Sequence, residues 1–123
     1  MKNNNDWVTF KIELRDRYKK FALNIIALVR TLPSTVDSRI IAYQLMKSGT
    51  SCYANLRAAL RGRSKPEFFS KLCIVVEETD ETELWLDMLI ESEISGIELT
   101  RNLRNESIEL LKIVSHLRKT MKP

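Results

Sequence analysis

Two runs of charge hold most of the residues that could do chemistry in this chain of 123 residues. Asp80, Glu83, Asp87 and Glu91 follow one another at steps of three, four and four, which places four carboxylates on one ridge of a helix. Such a ridge can hold a divalent cation, stand in solvent, or meet a basic partner. Like charges one turn apart repel by about 0.2–0.5 kcal/mol per pair, and a basic partner relieves that repulsion. Candidate partners lie on the same chain. Lys11, Arg15 and Lys19 stack at i,i+4, as do Arg57 and Arg61, and the latter pair joins Arg63, Lys65 and Lys71 in a basic corner. Clustered Arg and Lys contact phosphates in a sequence-independent, salt-dependent manner. The expectation is therefore a homo-oligomer in which Asp80, Glu83, Asp87 and Glu91 meet Lys11, Arg15 and Lys19 of a neighbouring copy. Arg57, Arg61, Arg63, Lys65 and Lys71 are then the candidate RNA- or DNA-binding residues. A solvated or intersubunit face is the plainer reading of the same corner. No base-stacking aromatic motif accompanies it, and Tyr53, Phe68 and Phe69 suit packing better.

Catalytic chemistry finds little support. His116 is the only histidine. It falls in the penultimate turn of the last helical segment, where a cation is favoured by the helix dipole. A triad on Ser115 or Cys52 would have only this base, with no sign of an oxyanion-hole loop. A di-metal carboxylate centre needs two inward Glu-x-x-His motifs, but Ile113 precedes His116 by three and no second histidine exists. Two cysteines, Cys52 and Cys73, and one histidine cannot make a four-ligand zinc site, and both thiols read as small buried hydrophobes. The phosphate-cradling P-loop pattern is missing. The sequence implies no enzyme, no metal and no cofactor.

Charge is unevenly distributed. The formal net charge is +4, yet nine carboxylates and no Lys or Arg lie between Leu72 and Thr100. Segregation of this kind suits charge-complementary association or a basic surface facing an anion. Three Gly and three Pro are too few for an all-β fold, and no apolar run approaches the roughly 20 residues that cross a bilayer. "MKNNNDW" lacks the apolar centre of a signal peptide, so a cytoplasmic protein with no membrane contact is expected.

Four amphipathic helices must position these residues in one domain spanning 1–123. The first, about Asp6 to Thr31 and capped by Asn5 or Asp6, carries Trp7, Phe10, Leu14, Phe21, Ile25, Leu28 and Leu32 at bundle spacing and stops before Pro33. The second starts at Val36 or Asp37, capped by Ser34 or Thr35, and runs to Arg61. The third runs from Lys65 to Ser92 with Phe69, Leu72, Val76, Thr79, Leu86 and Leu89 inward. "SKPE" before it is a capping box. The fourth, Glu98 to Met121, turns Leu99, Leu103, Leu110, Ile113, Leu117 and Met121 inward. Short loops between long helices give an all-α, antiparallel up-down-up-down four-helix bundle.

The second helix has an unusual inward stripe: Ile41, Leu45, Ser48, Cys52, Asn55 and Ala59. Small residues there let a neighbouring helix approach closely. Asn55, as a polar group in the seam, needs a partner such as Glu78, Thr79 or Thr82, and would fix helix register. Ser48, Asn55 and Thr82 are thus the candidate register residues.

The segment from Lys47 to Ser92 resembles the bacterial family named S23 ribosomal protein or 23S rRNA intervening-sequence protein. The likeness rests on Ser48 to Ser51, Ala54-Asn55, Ser64-Lys65, Glu67-Phe68, Glu81-Thr82 and Trp85 to Leu89, with "RIIAYQL" from Arg39 in support. One departure is Ala58, where many relatives carry an acidic residue. The resemblance implies an antiparallel bundle and assembly into homopentamers. It extends to the accessory variability determinants of diversity-generating retroelements, which bind nucleic acid and a reverse transcriptase. Expected partners are accordingly further copies of the chain, RNA or DNA, and a partner protein.

Overall fold

Residues 4–123 are described by a computed structural model. Helices occupy Asn4–Val29 (α1), Val36–Leu60 (α2), Lys65–Glu91 (α3) and Glu98–Thr120 (α4). Each packs against the next in sequence and α4 closes on α1, while α1 and α3 stand on a diagonal. Connections this short force successive helices antiparallel, so the expected all-α four-helix bundle is the observed one. No cis peptide bond occurs among the described residues.

The helix ends follow local chemistry. α3 starts as expected: Ser64 Oγ accepts from the Glu67 amide at 3.2 Å, and the Glu67 carboxylate accepts from the Arg63 amide at 3.2 Å. Pro66 occupies the first turn, where its missing N–H costs nothing. Other caps differ from expectation. Asn5 and Asp6 lie inside α1 rather than before it. Thr35 takes the N-cap position of α2, one of the two residues expected there, but its side chain makes no cap hydrogen bond. The Thr35 hydroxyl instead donates to Asp37 Oδ1 at 2.6 Å, and that oxygen accepts the Ser38 amide at 2.8 Å. At the end of α3 the amide of Ser95 bonds the Leu89 carbonyl, and Glu93 takes a left-handed φ of 63°, a conformation usually left to Gly.

The core is one cluster built from all four helices, with Tyr18, Phe21, Ile25, Leu28, Leu45, Leu56, Leu72, Leu86, Leu89 and Leu110 fully enclosed. Truncating any of these large side chains to Ala costs about 2–5 kcal/mol. Tyr18, absent from the expected stripe, crosses the bundle diagonal, where its hydroxyl meets Thr79 Oγ1 at 2.9 Å. Burial pushes its phenol well above the ordinary range, so it stays neutral. Val75 and Thr82 join the core of α3, and Phe68 is buried where Phe69 was expected. Likewise Val114 is buried in α4 and Ile113 only partly.

The small-residue stripe is real, but its polar member is a different residue. Asn55 is half-buried and donates to Ser51 O and Oγ on its own helix, at 2.9 and 3.0 Å, so it fixes no register. Leu56 occupies the inward position. The interhelical hydrogen bond runs from the Thr82 hydroxyl to Ser48 Oγ at 2.9 Å, both fully buried. Next to Ser48, Gly49 sits so close to α1 that a Cβ there would lie 2.5 Å from Ile25 Cδ1. Cys52 is enclosed, its thiol donating to Gly49 O and pushed up to about 12 by burial. Cys73 is only half-buried, contrary to expectation.

Candidate nucleic-acid interface

The two basic runs expected to serve different purposes converge on one feature. α1 and α2 lie side by side, and between them runs an open groove of about 440 Å³. Lys11, Arg15 and Lys19 line it from α1, and Arg57 and Arg61 from α2. The i,i+4 spacing places each set along one helix edge, and antiparallel packing turns the two edges toward each other. Asp16 is the only carboxylate in the lining, and it is engaged by Arg15 Nη2 at 3.2 Å. Five cations against one acid make a field that concentrates anions.

The remainder of the lining is apolar: Val8, Ile12, Tyr53 and Leu60. Val8 and Ile12 are 47% and 44% exposed, large hydrophobes facing the groove instead of the core. Tyr53 is half-buried, packs against the core with part of its ring, and carries the Arg57 guanidinium 5.8 Å from the ring centroid. Lys11 is held similarly over Trp7, at 5.7 Å. These contacts restrain two of the five cations at low entropic cost.

The other candidates lie elsewhere. Arg63 is exposed in the turn before α3, Lys65 opens that helix, and Lys71 is half-buried along it; none lines the groove. The carboxylate ridge is partly neutralised within the chain. Arg104 of α4 reaches Asp87 at 3.2 Å and Glu83 at 3.9 Å, whereas Asp80 and Glu91 stand exposed without an ion-pair partner among the described residues. His116 is exposed in α4, and no described group of His, Cys, Asp and Glu is arranged to hold a metal ion. Glu78 has its carboxyl raised by partial burial, with Glu81 adding to the effect.

Sequence reasoning passed over the apolar half of the groove. Val8 and Ile12 are spaced i,i+4 beside the core stripe, and Tyr53, Arg57 and Arg61 share one edge of α2. Read together, these spacings indicate a mixed apolar and cationic seam. It also passed over the strap on the opposite side, where Arg17 Nε meets Glu106 at 2.8 Å and Arg17 Nη2 meets Glu109 at 2.8 Å. The hydrogen bonds that the guanidinium donates to Glu106 are the main reason it is held even more firmly protonated than usual. This pair clamps α1 to α4 beside a second cavity of about 270 Å³.

No described helix is long and apolar enough to cross a membrane. Among curated proteins, none matches this chain. A solved structure from Bacteroides thetaiotaomicron, described as a protein of unknown function from the S23 ribosomal protein family, is similar in sequence and fold. It is 32% identical, with a TM-score of 0.80, over 89% of this chain and 97% of that one. The model of the 23S rRNA-intervening sequence protein family matches residues 11–116, and the chain belongs to that family.

Proposed function

We propose that the protein is a non-enzymatic RNA-binding accessory that holds the phosphate backbone in the α1/α2 groove. The observation that carries this reading is the convergence of Lys11, Arg15, Lys19, Arg57 and Arg61 on one groove with a single carboxylate. Phosphate contacts need density of positive charge rather than a base-reading motif, which fits a chain without one. Arg63 and Lys65, exposed in the nearby turn and helix start, extend the basic surface. Membership of a family described by rRNA intervening sequences makes structured RNA the natural ligand to test.

The test is a titration of rRNA-like RNA at several salt concentrations. Wild-type protein should bind at low salt and release as salt rises. The variant with Gln at Lys11, Arg15, Lys19, Arg57 and Arg61 should lose binding while keeping its helical spectrum. Undiminished binding by that variant would remove the groove from the account.

A self-association role has its own support. The outer face of α2 exposes Val36, Ile40 and Tyr43 at i,i+4,i+7, and that of α3 exposes Leu84 and Met88 at i,i+4. Such faces are where further copies, or a partner protein such as a reverse transcriptase, would dock. With Lys11, Arg15 and Lys19 committed to the groove, these apolar faces are better candidates for the subunit contact than a purely ionic pairing of α3 with α1. Light scattering at micromolar concentration tests it, since a monomer would exclude the oligomer.

A further inference from the structure

The lining of the groove says more than its charge. A face that only tracked phosphates would be polar throughout, yet here four apolar residues alternate with the cations. Val8 and Ile12 leave nearly half their surface in water, which gains nothing unless something apolar covers it. The Tyr53 ring and the Arg57 guanidinium, 5.8 Å from the ring centroid, stand together on the α2 edge of the groove and bring two planar groups to one place. Bases stack on both tyrosine rings and guanidinium planes.

Shape points the same way. A duplex turns its bases inward and would offer this groove only sugar and phosphate, leaving Ile12 and Val8 uncovered. A volume of about 440 Å³ is on the scale of a single-ligand site and can take one base with its sugar. Asp16 repels phosphate locally but can accept from a base N–H.

We propose that the α1/α2 groove takes an unpaired strand of RNA. One base lies against Tyr53 and Arg57, the adjoining apolar edge is covered by Ile12 and Val8, and the flanking phosphates meet Lys11, Arg15, Lys19 and Arg61. The proposal rests on the RNA-binding reading above and adds which form of RNA is selected.

The experiment compares an unstructured RNA of about a dozen nucleotides with the blunt duplex formed from it, at matched salt. Two exposed-site variants accompany wild type. Arg57→Lys keeps the charge and loses the plane, and Ile12→Ser removes the apolar edge without touching the core. The expected result is a preference of about tenfold or more for the single strand, since one stacked base contributes that much. Either variant should shrink that preference while the salt dependence stays unchanged. Equal affinity for strand and duplex, with neither variant altering it, overturns this proposal and leaves RNA binding intact. Failure to bind either RNA at low salt, with binding of poly-glutamate in their place, overturns both readings and makes the groove a protein contact.

Discussion

Gly49→Ala tests how closely α1 and α2 approach, which is what shapes the groove above them. In an exposed helix the change would stabilise by about 1 kcal/mol. Here the new Cβ would lie 2.5 Å from Ile25 Cδ1, 3.1 Å from Cγ2 and 3.4 Å from Cγ1. The δ-methyl is the end of the side chain, but Ile25 is fully enclosed, so moving it disturbs packed neighbours. Cγ2 is fixed by the stiff χ1 of a β-branched residue in a helix. Overpacking of this kind costs about 1–3 kcal/mol, so the net effect is a loss of about 1 kcal/mol. Ile25→Val removes the δ-methyl at a cost of about 1 kcal/mol. In that background Gly49→Ala should turn neutral or stabilising, giving a favourable coupling of about 1–2 kcal/mol in a double-mutant cycle. Urea unfolding of the four proteins measures it. A Gly49→Ala protein more stable than wild type, by the same amount in both backgrounds, would refute the close approach.

Three further outcomes follow from the hydrogen bonds. Tyr18→Phe removes a hydroxyl that spans the diagonal, but Thr79 still donates to Val75 O at 2.7 Å, so the loss should be about 1 kcal/mol by urea unfolding. Asn55→Ala should change stability by less than about 0.5 kcal/mol and leave oligomeric state unchanged, because its amide serves its own helix. Asp37 has its carboxyl lowered, chiefly by the Thr35 hydroxyl and then by the Ser38 amide. A depressed folded value means its stabilisation is present above the unfolded carboxyl's pKa and is lost as pH falls through the folded one. The stability gap between wild type and Asp37→Asn should therefore be open at neutral pH and close in acid, as pH-dependent melting would show.

Periodicity was enough to read the bundle from the chain, because helices this long with apolar residues at steps of three and four have few other ways to bury them. The α3 start was also legible, since Ser64, Pro66 and Glu67 satisfy local rules that tertiary contacts do not override. Register was harder. Ser48, Cys52, Asn55 and Ala59 match helical spacing, but so do Ser48, Cys52, Leu56 and Ala59, and burying Leu56 in place of an amide decides between them. Tyr18 was missed because its phenol needs a partner from a diagonal helix, which no local pattern reveals. The groove was half legible. Each basic run stood out on its own helix, but their meeting depends on which edges α1 and α2 turn toward each other. That depends on interhelical packing such as the close approach of Gly49 to Ile25, which no single-helix pattern reveals. The acidic ridge looked unpaired because Arg104, its partner within the chain, lies well along the next helix.

The most direct test of the groove as an RNA site is the slope of log Kobs against log salt for single-stranded RNA. Each phosphate neutralised contributes about −0.7, so engagement of four or five cations predicts a slope of about −3. Replacing Lys19 and Arg61 together by Gln should make it shallower by about 1.4. A slope near zero, or one that the double variant leaves unchanged, would contradict the account.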